Sequence, residues 1–155
     1  MIDLTEGAAA PSLDLPTAGE GRISLASLKG RPVVVFFYPK ADTPACTNEA
    51  IDFSASMADF EASGTTVIGV SRDPLRKLDR FKAKHDLKVV LASDEDGQVT
   101  EGWGVWVEKQ LYGRRYMGIE RATFLIGPDG RVARVWRKVS VKGHAQAVLE
   151  AVRAL

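Results

Sequence analysis

The chain contains one cysteine, Cys46, in the segment Tyr38-Pro39-Lys40-Ala41-Asp42-Thr43-Pro44-Ala45-Cys46-Thr47, where an apolar run gives way to a helical pattern. Thr43 suits the N-cap and Pro44 the first helical position, where a missing N–H and a fixed φ cost nothing. Cys46 then falls in the first turn, at the place a capping box would give to Glu. Unpaired backbone N–H groups and the positive end of the helix dipole favour an anion there, and a sulfur held as thiolate is a nucleophile. The competing description is a small buried hydrophobe, the common fate of a free cysteine. Cys46, Ala50, Phe53, Met57 and Phe60 recur at helical spacing, so the sulfur belongs to an inward helical stripe under either description.

The flanking elements must hold this segment in place. Val33-Val34-Val35-Phe36-Phe37-Tyr38 is apolar without alternation, as expected of a strand covered on both faces in a mostly parallel sheet. A helix is predicted over 44–62, a strand over 65–70, a helix opened by Asp73-Pro74 and running to about 85, and a short strand over 89–91. Two such crossovers build a parallel sheet core. A short helix is expected over 95–102. The runs 121–126 and 131–136 flank Gly127-Pro128-Asp129-Gly130 and read as a hairpin. A final helix over 142–155 would cover the sheet with Ala145, Val148, Leu149 and Val152, and Ile23-Ser24-Leu25 points to an N-terminal hairpin within the first thirty residues. The expected class is an α/β three-layer sandwich with a central mixed β-sheet, an N-terminal hairpin extension and a C-terminal helix.

The segment Pro39-x-x-x-Thr43-x-x-Cys46 resembles the active-site signature of the peroxiredoxins. The longer Phe36-Phe37-Tyr38-Pro39-Lys40, Asp42-Thr43-Pro44, Cys46-Thr47 and Glu49-Ala50 is similar to the PrxQ branch, also called bacterioferritin comigratory protein. The likeness extends through Ala10-Pro11, Leu28-Lys29-Gly30, Gly69-Val70-Ser71, Ser93-Asp94, Gly104-Val105-Trp106 and Arg121-x-Thr123-Phe124-Leu125-Ile126, nearly the whole chain. It implies a thioredoxin-like fold, with residues 1–155 forming a single domain, and a thiol-dependent peroxidase.

Splitting an O–O bond requires a thiolate to attack one peroxide oxygen while the other departs with the charge, so donors must be aimed at the departing oxygen. The resemblance implies that Cys46 is the nucleophile and that the Thr43 hydroxyl holds the peroxide, assisted by the Cys46 N–H. It implies that Arg121 binds thiolate and peroxide together, a role suited to a permanently charged planar donor array. Pro39 would pack over the sulfur and limit water. Taken alone, Arg121 would read as a solvated charge at a strand end.

One position departs from the branch. Many of its members have a second cysteine five residues after the first, whereas this chain has Ile51 and no other cysteine. A Cys46 sulfenic acid formed by hydrogen peroxide or an organic hydroperoxide therefore cannot close an intramolecular disulfide. The expected partner is an external thiol: thioredoxin, glutaredoxin or a low-molecular-weight thiol such as glutathione. The alternative is a peroxide sensor or redox interaction module of the same fold that oxidises without cycling. A cysteine hydrolase using His85 or His144 as base ranks behind both.

Composition sets further bounds. With 155 residues, 45% hydrophobic and 26% charged, the chain suits one compact domain, and a net charge of +1 argues against nucleic-acid binding as the main function. Arg131, Arg134, Arg137, Lys138 and Lys142 read as a solvated face, and Trp103, Trp106 and Trp136 as packing. No stretch has the length of a membrane span, and Met1-Ile2-Asp3-Leu4-Thr5-Glu6 lacks the apolar region of a signal peptide. A cytoplasmic location and a monomer or weak homodimer are expected, since an unpaired cysteine suits a reducing compartment. One cysteine and two distant histidines are too few for zinc. Gly102-x-Gly104 lacks the third glycine of a dinucleotide fingerprint, so no cofactor is expected.

Overall fold

A computed structural model describes residues 4–155, so the first three residues of the expected domain and of the expected leaderless N-terminus lie outside the described residues. A seven-stranded mixed sheet has the order β2-β1-β5-β4-β3-β8-β9. Its centre is β3 (Val33–Phe37), wholly buried, as its unbroken apolar run predicts. β3 pairs in parallel with β4 (Thr66–Ser71), and β4 in parallel with β5 (Val90–Ser93). On its other side β3 pairs antiparallel with β8 (Ala122–Ile126), which forms the expected hairpin with β9 (Val132–Trp136). The N-terminal hairpin is β1 (Asp14–Thr17) with β2 (Gly21–Ser24), joined to β5 through Thr17 and Ala92.

Alternation along β3 divides the core into two layers. Val34 and Phe36 point to the side covered by α1 (Pro44–Ala55), α2 (Met57–Ala62), α3 (Leu75–Lys84) and α5 (His144–Arg153). Val33, Val35 and Phe37 point to the other side, where Val99 of α4 (Gln98–Gly102), Trp103, Ile119 and Leu13 gather. Phe36 stacks on Phe53 of α1 at 4.6 Å between centroids, and Gly69 of β4 lets it lie there. A Cβ at Gly69 would stand only 2.6 Å from the Phe36 ring.

The structure differs from the sequence reading in four places. The helix expected over 44–62 is two helices, because the Ser56 N–H bonds back to Phe53 at a tighter, three-residue spacing. The helix expected over 95–102 starts only at Gln98. The buried Asp94 carboxylate accepts from the N–H groups of Val99 and Thr100, at 3.1 and 2.7 Å, and Gly97 sits in the left-handed region that sets the turn. A two-stranded ribbon, β6 (Trp106–Leu111) with β7 (Arg114–Ile119), was not anticipated. Its two-residue loop, Tyr112-Gly113, has both φ angles positive, as a type I′ turn demands. Finally, Arg137 is not a solvated cation: it is half-buried and paired with Glu120.

Trp103 is buried against Phe37 and Phe124, and Trp106 lies under the Arg72 guanidinium at 3.4 Å from the ring centroid, so both pack as expected. Among the described residues no helix is long and apolar enough to cross a membrane.

Candidate active site

The loop between β3 and α1 delivers the thiol. Thr43 is the N-cap with extended backbone (φ −99°, ψ 157°), Pro44 follows at the first helical position, and the Thr47 N–H closes the first turn on the Thr43 carbonyl at 2.9 Å. The Thr43 hydroxyl makes no capping bond. It donates instead to the Lys40 carbonyl at 2.7 Å, which leaves its lone pairs available to accept. Cys46 is 2% exposed and packs in the cluster that contains Tyr38, Ala41, Ala50 and Phe53. Pro39, half-buried, is two residues past the end of β3.

Sheet pairing brings Arg121 to this helix from seventy-five residues away. Phe37 at the end of β3 is opposite Ala122 at the start of β8, so the residue before β8 is bound to lie beside the loop after β3. The Arg121 backbone is clamped from both sides. Its carbonyl accepts from the Val139 N–H at 3.0 Å, and the preceding N–H, of Glu120, donates to the Val105 carbonyl at 2.8 Å. Glu120 in turn holds Arg137 through Nε and Nη2, at 2.9 and 3.3 Å, and Arg137 donates to the Gly104 carbonyl at 2.9 Å.

The Arg121 side chain makes two contacts with α1. Nη2 lies 3.3 Å from the Cys46 sulfur and Nη1 lies 2.7 Å from Oε1 of Glu49. The resemblance includes Glu49 but implies no role for it. It is a carboxylate on the inward stripe of α1, one turn from Cys46, and only 1% exposed. A charged residue at an apolar stripe position was the signal that could have marked it. Among the described residues its Oε2 has no hydrogen-bond partner. Burial raises its carboxyl to about 7, against the opposing pull of the Arg121 guanidinium. Arg121 itself is held above its ordinary range: burial alone would lower it, but Glu49 and Cys46 together outweigh that.

Asp42, which could have opposed an anionic sulfur, is turned away. Its φ is +62°, and its carboxylate bonds Lys84 at 3.0 Å and His85 at 3.2 Å. Those hydrogen bonds, Lys84 first, keep it below the usual carboxylate range. His85 is thus occupied with Asp42, and the buried His144 ring bonds the Thr123 hydroxyl at 2.8 Å. Neither imidazole bonds Cys46, which leaves a cysteine hydrolase without its base. Burial, and secondarily Arg121, lower His144 to about 4, so it is neutral near pH 7. Ile51, where a second cysteine would be expected, is 40% exposed on the outer face of α1.

Sequence and fold comparisons relate the chain to known proteins. The AhpC/TSA family model matches residues 7–135. The chain is 42% identical over 156 residues to peroxiredoxin Bcp of Xanthomonas campestris, covering 99% of this chain and 98% of that protein. It is 42% identical over 147 residues to peroxiredoxin Bcp of Bacillus subtilis, covering 95% and 94%. Peroxiredoxin Q of Xanthomonas campestris superposes with a TM-score of 0.89 at 42% identity, covering 97% and 96% of the two chains. Peroxiredoxin Q of Xylella fastidiosa does so with a TM-score of 0.93 at 35% identity, covering 99% and 98%. The Xanthomonas protein has been solved with serine in place of either of two different cysteines, whereas this chain has one. The bacterioferritin comigratory protein of Xanthomonas campestris, also 42% identical with a TM-score of 0.89, is described by its alkyl peroxide reduction activity. With its thioredoxin-like fold and the Cys46–Arg121 contact in place, the chain belongs to the AhpC/TSA family, among the peroxiredoxins of the Bcp and PrxQ branch.

Proposed function

We propose that this peroxiredoxin reduces hydrogen peroxide and organic hydroperoxides through a Cys46 sulfenic acid that is resolved by an external thiol, with residues 1–155 working as a single domain. The observation that carries the reading is the contact of one guanidinium with both the Cys46 sulfur and the Glu49 carboxylate at the start of α1. The Cys46 thiolate attacks the nearer peroxide oxygen. A sulfur–oxygen bond forms as the oxygen–oxygen bond breaks, and the distal oxygen leaves as hydroxide or alkoxide, taking up a proton. Arg121 lies where it can meet that charge, and the Cys46 N–H in the first helical turn adds a second donor. The Thr43 hydroxyl, already donating to Lys40, can accept from the peroxide O–H. Pro39 borders the same loop and excludes water.

A chain with one cysteine then needs a thiol from outside. Thioredoxin, glutaredoxin and small thiols are the candidate classes, and a reducing compartment such as the cytoplasm supplies all three. The working form is a monomer or weak homodimer. The test is peroxide consumption by the purified protein with a panel of reductants. Sustained turnover with at least one thiol, abolished by Cys46→Ser, is expected. Oxidation of Cys46 without turnover on any reductant would make the protein a sensor instead, and turnover retained by Cys46→Ser would refute the mechanism.

A further inference from the structure

We infer that the β6–β7 ribbon carries a subsite for the reductant, in which Lys109 binds the carboxylate of a small anionic thiol as that thiol attacks the Cys46 sulfenic acid. The inference rests on the one-cysteine reading above. Lys109 and Tyr116 are directly opposite in the ribbon register, and Leu111 and Arg114 form the next pair but one toward the tip, so these four side chains share one face. Leu111 and Tyr116 are 54% and 47% exposed. At the root of the same face Gly118 has no side chain. A Cβ there would stand 3.2 and 3.4 Å from Lys109 Cδ and Cε, so the lysine stem lies over Gly118 and runs back along β7 toward Arg121.

The ammonium at the end of that stem shares the electrostatic surroundings of Cys46, Arg121 and Glu120. Burial and the Arg121 guanidinium hold it below the ordinary lysine range, with Cys46 and Glu120 acting in the opposite sense. Nearby charges are otherwise committed: Arg121 to Glu49 and Cys46, Glu120 to Arg137, and Glu108 to Arg115. Among the described residues the Lys109 ammonium makes no ion pair or hydrogen bond. A half-buried cation within electrostatic reach of a reactive sulfur, next to an exposed aromatic ring, is a complement for a molecule with a carboxylate at one end and a thiol at the other.

The chemistry balances with two such molecules. The first thiolate attacks the Cys46 sulfur, the sulfur–oxygen bond breaks, and the hydroxyl leaves with a proton as water, giving a mixed disulfide. A second thiolate attacks the outer sulfur of that disulfide, releasing the oxidised thiol and the Cys46 thiolate. Lys109 acts on the first attack by raising the local concentration of anionic thiol and orienting it.

The test oxidises the protein with one equivalent of peroxide, confirms the sulfenate by chemical trapping, and follows its reduction by stopped flow with mercaptoacetate, mercaptoethanol and cysteamine. Each rate is compared between wild type and Lys109→Gln with the same thiol, so differences in thiol acidity cancel. The expected result is a roughly three- to tenfold loss with mercaptoacetate, little change with mercaptoethanol and a gain with cysteamine, the preference fading as salt is raised. Lys109→Arg retains the preference for mercaptoacetate. Equal ratios for the three thiols overturn the inference, as does a variant in which peroxide oxidation and all three reductions slow together. Failure of the wild type to form a trappable sulfenate overturns the parent mechanism, and this inference with it.

Discussion

Glu49 stands one helical turn beyond Cys46, and a single guanidinium joins them, 2.7 Å from the carboxylate and 3.3 Å from the sulfur. The sulfur's reactivity and the charge on Glu49 are therefore coupled through Arg121. Both groups sit on the helix face turned toward the sheet, so any change to Arg121 is felt at the packing face and at the reactive atom together.

Arg121→Lys tests the double contact. Lysine keeps a charge but has one nitrogen, which cannot reach both partners in a fixed plane. Cys46 oxidation by hydrogen peroxide, measured in single turnover, is expected to slow by roughly tenfold to a thousandfold, the range for loss of a preorganised donor. A rate within twofold of wild type would remove Arg121 from the mechanism.

Two buried titrating groups oppose each other in the pH dependence of stability. Glu49, raised to about 7 from 4.5, keeps a proton in the folded chain that the unfolded chain has released, so folding weakens as pH rises across that window. His144, lowered to about 4 from 6.5, declines in the folded chain a proton that the unfolded chain binds, so folding strengthens as pH rises across that window. In wild type the two slopes largely offset. Glu49→Gln is expected to show stability rising with pH below about 6.5, and His144→Gln to show it falling toward pH 7, each by about 1–2 kcal/mol in denaturant melts. Parallel profiles for the two variants would contradict both assignments.

Ile51→Cys asks what a second cysteine at that position would require. Residues five apart on an ideal helix have Cα atoms about 8.7 Å apart, beyond the ~7 Å limit for a disulfide. Peroxide treatment of the variant is expected to yield an intramolecular disulfide together with loss of helix in the first half of α1, read by amide exchange. A disulfide formed with α1 fully protected would be incompatible with this geometry.

Gly69→Ala probes the support beneath α1. The new methyl would press on the Phe36 ring, which is stacked on Phe53, and the ring has a close neighbour on either side. A destabilisation of about 1–3 kcal/mol is expected, with a smaller loss if Phe36 is simultaneously reduced to Leu. A neutral single variant would mean that the ring moves freely.

The sequence made the thiol segment legible because its determinants are local: Thr43, Pro44 and Cys46 define a helix start within four residues, and β3 announces its burial by lacking polar alternation. Arg121 became legible only through resemblance, since sheet register, which no local pattern encodes, is what carries it to α1. Glu49 escaped because a carboxylate on a helix is ordinarily a solvated residue. The β6–β7 ribbon escaped because Glu108, Lys109, Gln110, Arg114 and Arg115 mask its alternation, and its turn uses Tyr112 where Asn or Asp would be the usual sign. The break at Ser56 carries no glycine or proline and so left no mark.

The ribbon leaves and re-enters the body at one point, fastened where the Glu120 N–H meets the Val105 carbonyl. Beyond the exposed Leu111–Arg114 pair the ribbon can change in length without shifting the buried Ile119, the packed Trp106 or the strands on either side. The Tyr112-Gly113 tip is accordingly the position at which a peptide tag or fluorophore-bearing insert can be grafted while the catalytic geometry is left undisturbed.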